Sequence, residues 1–376
     1  MKTRIFPVLA VLVLALGSNT VRSADLTWTG SISTDWNNPT NWTPQQVPSS
    51  GDHVIISSGS ILVPLDGAFT IMDWTGGSIN GCLTVASNEV LNVSGSSHVT
   101  LNGALTNAGT VNWTGGDFWL DDYPSNDYPN AGPLVNLAGG VWNIQCDQDM
   151  QFSTGVGYPY NTNAYFQNEG LVRKTGGTGT TTFGYQAGVA AILFQNSGTV
   201  EADTGTISFL GGYSASPSAN VAISLGSGTS GSGYGKIIFS NPLSWDGTFS
   251  VSTRNGYLPI PGATFQVLSY PSATNSFTCL SGLDLGGGIL LQPQFGPTAL
   301  TLLATAYTTN ASQPQLFVNH TLGGLAITWP VGFQGWALQS TTNLSSAPWS
   351  MVSNACVNQA VVPISAPQQY FRLIGN

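Results

Sequence analysis

Leu105-Thr106-Asn107-Ala108-Gly109-Thr110-Val111 decides the fold, because the pattern returns. Phe166-Gln167-Asn168-Glu169-Gly170-Leu171-Val172 and Phe194-Gln195-Asn196-Ser197-Gly198-Thr199-Val200 repeat it. Leu134-Val135-Asn136-Leu137-Ala138-Gly139-Gly140-Val141 is a looser copy with one extra residue. The asparagines stand 29, 32 and 28 residues apart. A repeat of this length is one supersecondary unit that cannot bury its own apolar face and must stack on its neighbours. Period-two stretches such as Thr206-Ile207-Ser208-Phe209 indicate strands rather than helices. The sequence therefore predicts an all-β chain: a right-handed parallel β-helix (solenoid), one coil per repeat, followed by a small β-sandwich.

Stacked coils lie about 4.8 Å apart, so equivalent residues become neighbours. Leu105, Leu134, Phe166 and Phe194 are expected to form one inward stack, and Val111, Val141, Val172 and Val200 another. The four asparagines are expected to form an amide ladder. The glycine that follows each of them permits a tight corner.

The first residues combine Lys2 and Arg4 with an apolar run from Ile5 to Leu16, and Val21-Arg22-Ser23 suits cleavage before Ala24. This is the pattern of a secretory leader, with a run too short to span a bilayer comfortably. Removing Lys2, Arg4 and Arg22 with the leader leaves five basic residues against 17 acidic ones, a formal charge of −12. Only 7% of the chain is charged, against about a quarter in ordinary globular proteins. Such a surface excludes nucleic-acid binding through phosphate neutralisation, and no membrane insertion is expected. Cys82, Cys146, Cys279 and Cys356 allow three disulfide pairings and equally allow buried free thiols.

Trp28, Gly30, Trp36, Asn41-Trp42, Val47-Pro48 and Asp52 precede the strand-like His53-Val54-Ile55-Ile56. Their spacing resembles the tryptophan-rich opening segment of many bacterial surface solenoid proteins. Here the tryptophans are expected to pack as a cap, which the open end of a solenoid needs. Tyr234, Trp245-Asp246-Gly247, Gly256-Tyr257, Phe265 and Ala299 to Leu303 fall in an order similar to the end of autotransporter-like passenger domains. That resemblance covers residues 220–305 and implies a β-helix terminus rather than an activity. No translocator barrel is expected from this sequence. After the polar linker, strands such as Leu325-Ala326-Ile327-Thr328-Trp329 and Tyr370-Phe371-Arg372-Leu373 resemble a short module of exported proteins from Verrucomicrobia-like bacteria, and a fragment of a fibronectin type III domain. The resemblance implies attachment or export. The resulting division is leader 1–23, tryptophan-rich cap 24–66, coils 67–212, terminal cap region 213–307, linker 308–314 and small sandwich 315–376.

Nucleophile elbows, metalloprotease motifs and phosphate loops are missing. His53, His98 and His320 have no plausible partner in sequence and read as incidental surface or turn residues. The one chemical cluster is acidic. Asp117 lies ten residues past Asn107 and Asp147 eleven past Asn136, so the two are expected to stack, with Asp149 on the same strand face as Asp147. If the chain is an enzyme, these three are its acid and base. Trp119, Tyr123, Tyr128 and Tyr158 are candidates for stacking on a glycan. Asp121, Asp122 and Asp127 are candidates for Ca²⁺, the one ion these residue types suit; no other cofactor is expected. Arg173 and Lys174, the only bases nearby, read as an exposed strand edge. The leading expectation is a secreted or cell-surface structural or adhesive protein without catalysis, its partner an extracellular glycan or surface component. The alternatives are a β-helix glycoside hydrolase or lyase, and a glycan-binding module.

Overall fold

The computed structural model describes residues 23–64, 67–121, 132–153, 165–184, 192–309, 311–333, 335–345, 348–352 and 355–375. The leader stretch up to residue 22 and the segment carrying Asp122, Tyr123, Asp127, Tyr128 and Tyr158 lie outside these residues. Among the described residues there is no α-helix, only strands and one short 3-10 turn at Pro39–Asn41.

Three parallel sheets wrap one core. Each complete coil visits sheet III, then sheet I, then sheet II. The coil of the first quoted repeat contributes Leu105–Asn107, Thr110–Trp113 and Phe118–Asp121 in that order. Alternation decides what enters the core: Val111 and Trp113 are fully buried, while Thr110 and Asn112 face outward. The parallel ladder of sheet I takes in Asp25–Trp28 at the front and runs to Cys279–Ser281 at the back. At the front, Trp28, Trp36 and Trp42 pack edge to face with centroids 5.0 Å apart, and the Trp42 indole donates to Trp36 O at 2.8 Å. At the back, sheet II is closed by the antiparallel strands Ala299–Ala306, Ile289–Phe295 and Asp284–Gly286. Aromatic rings run along the axis between, from Trp74 through Phe118, Trp142, Phe166, Phe194, Phe209, Phe239 and Trp245 to Phe277.

The first expected stack is present, with Leu105, Leu134, Phe166 and Phe194 in register. The second is different. Trp142, not Val141, aligns with Val111, Val172 and Val200, and Val141 instead faces outward beside Thr110 and Leu171. The corner after Asn136 holds two residues more than the corner after Asn107. A shift of one further residue exchanges the faces of a strand.

The asparagine ladder is internal and directional. Asn107 Nδ2 donates to Asn136 Oδ1 at 2.7 Å, Asn136 to Asn168 at 2.8 Å, Asn168 to Asn196 at 2.8 Å, and Asn196 to the Tyr213 hydroxyl at 2.9 Å. The corner glycines are required by space. A Cβ on Gly170 would lie 2.2 Å from Gly140 O, and one on Gly198 2.2 Å from Gly170 O. A second ladder runs along the outside of sheet I in the opposite sense. Arg173 Nε donates to Asn143 Oδ1 at 2.6 Å, Asn143 to Asn112 at 2.8 Å, Asn112 to Asn92 at 3.0 Å, and Asn92 to Asp73 Oδ1 at 2.8 Å. His53 extends it, bridging Asp73 and Asp25 at 3.0 Å each, so this histidine has partners that the sequence did not suggest.

Beyond the solenoid, Phe317–His320, Gly324–Thr328, Gln359–Pro363 and Ala355–Cys356 form one small antiparallel sheet, and Ser350–Met351, Trp336–Thr341 and Tyr370–Gly375 form another. Ile327, Trp329, Leu338, Ala360 and Val362 are the core between them. A Cys279–Cys356 disulfide joins this sandwich to the last coil, and cavities of about 670 and 490 Å³ flank it. Cys82 and Cys146 are free thiols.

Candidate functional site

The acids expected to carry chemistry sit on the corner where the chain passes from sheet I to sheet II. Successive coils bring Thr114 to Asp117, Gln145 to Asp149, Thr175 to Gly179, and Asp203 to Gly205 to this edge. Because Phe118 pairs with Met150, the residue that stacks on Asp117 is Asp149, not Asp147. The Asp149 backbone N–H donates to Asp117 Oδ1 at 3.1 Å, and Gln151 reaches Asp117 Oδ2 at 3.5 Å. Asp147 and Asp149 do not share a strand face, since the strand begins only at Met150. The corner after Ile144 is one residue longer than the corner after Trp113, which displaces Asp147 from the stack.

Asp147 is held by Lys174. The Lys174 ammonium donates to Asp147 Oδ1 at 2.8 Å, to Thr181 Oγ1 at 3.0 Å and to the Cys146 carbonyl. Three acceptors match its three N–H bonds. Lys174 is completely buried, whereas Asp147 keeps 38% of its side chain exposed. The expected exposed strand edge is thus corrected for this residue. In register, Lys174 occupies the inward column of Trp113, Ile144 and Ala202, while Arg173 beside it faces outward in the amide ladder. Counting six residues from the repeat asparagine finds this column: Asn107 leads to Trp113, Asn196 to Ala202 and Asn168 to Lys174.

The electrostatics separate the acids. Burial disfavours the Asp147 charge, but Lys174 and the backbone amides of Gly179 and Thr178 outweigh it, so its carboxyl lies below the usual range. Glycines make that approach possible: a Cβ on Gly177 would fall 2.1 Å from Asp147 Oδ1. Burial pushes Asp149 upward, the nearby Asp117 adds to the rise, and the Thr182 N–H at 2.8 Å opposes it. Burial likewise raises the Cys146 thiol. One coil further, Glu201 and Asp203 are both raised, chiefly by burial, with Arg254 and Arg173 opposing. Arg254 donates to Asp203 O at 2.6 Å and Gly233 O at 3.2 Å. Sequence reasoning missed this group because its members come from three separate coils.

Of the aromatic candidates, Trp119 lies on the outer face of Phe118–Asp121. One face of its indole is stacked on His98, centroids 3.8 Å apart and nearly coplanar, which gives His98 a packing role. Tyr123, Tyr128 and Tyr158, and the calcium candidates Asp122 and Asp127, fall outside the described residues; the backbone of Asp121 ends the same strand as Trp119. Among the described residues no three of His, Cys, Asp and Glu converge as metal ligands. No helix among them is long and apolar enough to cross a membrane. No protein-family model matches the chain, and no curated protein matches it significantly.

Proposed function

We propose that this chain is a secreted or cell-surface β-solenoid scaffold, structural or adhesive in role and without catalysis. One observation carries the reading. Each acid once suspected of chemistry bonds the next coil: Asp117 takes the Asp149 N–H, Asp147 takes Lys174, and Asp149 takes the Thr182 N–H. Such carboxylates act as rungs between layers, whereas glycoside hydrolysis needs two carboxyl groups free to face one substrate. The low charge content and the leader-like first residues support export to a setting where a sparsely charged, polar surface suffices.

Glycan binding without turnover is the second reading, favoured by the half-exposed Trp119 on the same edge as Asp117. The test is a broad glycan panel scored for binding and for new reducing or unsaturated ends, with and without Ca²⁺. Wild type is compared with variants carrying Asp117→Asn, Asp147→Asn and Asp149→Asn. No product and no binding is the result expected of a scaffold. Binding without product selects an adhesive or glycan-binding role over a purely structural one. Product formation lost in the variants, with the fold intact by circular dichroism, overturns the proposal.

A further inference from the structure

The front of the solenoid contains a carboxylate with one oxygen reserved for a terminus. Asp52 is 1% exposed. Its Oδ2 is occupied by the loop before it, taking Ser49 N at 2.9 Å, Ser49 Oγ at 2.7 Å and Gln46 Nε2 at 3.4 Å. Its Oδ1 takes Ala24 N at 3.0 Å, across 28 residues of sequence. Ala24 is itself fixed, because its carbonyl accepts the His53 N–H at 2.8 Å and its side chain packs against the main core. Ser23, one residue earlier, is exposed.

Ala24 is also the residue before which the leader pattern places cleavage. The geometry points to Asp52 as the receptor for the α-ammonium of Ala24, so that removal of the leader converts a neutral amide contact into a part-buried ion pair and locks the first coil. This rests on the reading of residues 1–23 as a leader. Hydrolysis of the Ser23–Ala24 bond adds one water: Ser23 leaves as a carboxylate and Ala24 N becomes an amine that takes up a proton. Burial works against the Asp52 charge, but its hydrogen bonds from Ala24, Ser49 and Gln46 prevail and hold its carboxyl below the usual range, ready to face a cation. Charge-assisted hydrogen bonds are about twice as strong as neutral ones, and the gain is greatest where water is excluded.

The test uses the chain from Ala24 to Asn376, released from a fusion so that Ala24 carries the free amine, against the same chain starting at Arg22. Both are also made with Asp52→Asn. Hydrogen exchange is followed at the amides of Asp25–Trp28 and His53–Ile56. Protection about tenfold higher in the Ala24 form, with the difference gone in Asp52→Asn, is expected from a charged over a neutral contact. Equal protection in the two forms, or a difference that survives Asp52→Asn, overturns the role of Asp52. Separately, N-terminal sequencing of the protein exported by a bacterial host reads the cleavage point. A mature terminus other than Ala24 overturns the proposal through the leader reading alone.

Discussion

Lys174 reaches Asp147 at 2.8 Å from a position with no solvent exposure, and the two residues belong to successive coils. The pair staples layers together at the point where the core admits an ammonium. Removing one member of a buried pair costs about 3–5 kcal/mol, because the partner's charge is left uncompensated where water cannot reach it, whereas replacing both members by apolar side chains of similar volume is often neutral. Asp147 is partly exposed, so water solvates its charge when Lys174 is removed, whereas Lys174 without Asp147 keeps only two neutral acceptors and no solvent. Asp147→Ala is expected to cost about 2–3 kcal/mol and Lys174→Met about 1 kcal/mol or less. Urea unfolding midpoints check the order; a larger loss in Lys174→Met contradicts it.

Asp149 should behave in the opposite way to Asp147. Its folded-state pKa is raised by burial and by Asp117, so ionisation is harder in the fold than in the unfolded chain. Stability therefore falls as pH rises through the range between the two pKa values, and the penalty persists at neutral pH. Asp149→Asn keeps an acceptor for the Thr182 N–H and removes the charge. It is expected to melt at or above the wild-type temperature at pH 7, and to lose that advantage near pH 3. A clear drop in melting temperature at pH 7 contradicts the assignment.

The inner ladder gives Asn136 and Asn196 comparable weight. Asn136 both accepts from Asn107 and donates to Asn168, so Asn136→Ala leaves two buried polar groups without their partner. Asn196 likewise accepts from Asn168 and donates to the Tyr213 hydroxyl. With a buried unsatisfied group costing about 1–3 kcal/mol, Asn136→Ala and Asn196→Ala are each expected to cost about 2–5 kcal/mol. Thermal unfolding followed by far-UV circular dichroism checks this; a loss in only one of the two variants contradicts it.

His53 confers a pH dependence on the front of the solenoid. Burial works against its charge, but hydrogen bonds to Asp73 and Asp25, and the charges of both, raise its pKa above 6.5. A raised pKa means that the contribution is whole below 6.5 and is lost as pH rises through the folded-state value. Amides of Asp25–Trp28 should therefore exchange faster at pH 8.5 than at pH 6 after correction for intrinsic rates, and His53→Gln should remove the difference. Asp25 is 77% exposed, so the effect is expected to be small and to shrink with salt.

The coil and its asparagine ladder were legible in the sequence because a buried amide must recur at the same place in every layer to find its partner. The registers within a coil were less so. Val141 and Trp142 are adjacent and both apolar, so the hydrophobic pattern admits either one inside, and only pairing with Val111 and Val172 selects Trp142. That ambiguity and the corner after Ile144, one residue longer than its counterpart, together place Asp149 rather than the expected Asp147 on Asp117. Lys174 was misread because lysine is ordinarily exposed, although its distance from Asn168 places it in the column of Trp113. The Cys279–Cys356 pairing spans 77 residues and two folding units, and no local pattern announces it.

A row of amides that all donate in one sense has two unlike ends, and each needs its own chemistry. On the outside of sheet I those ends are Asp73, which can only accept when ionised, and Arg173, which can only donate. Every rung between them is interchangeable with its neighbour. A coil duplicated or lost among Asn92, Asn112 and Asn143 thus leaves no polar group stranded, while loss of either end strands one. Growth of this molecule by repeat duplication is a matter for its interior, with the two charged residues acting as fixed bookends that travel apart as the array lengthens.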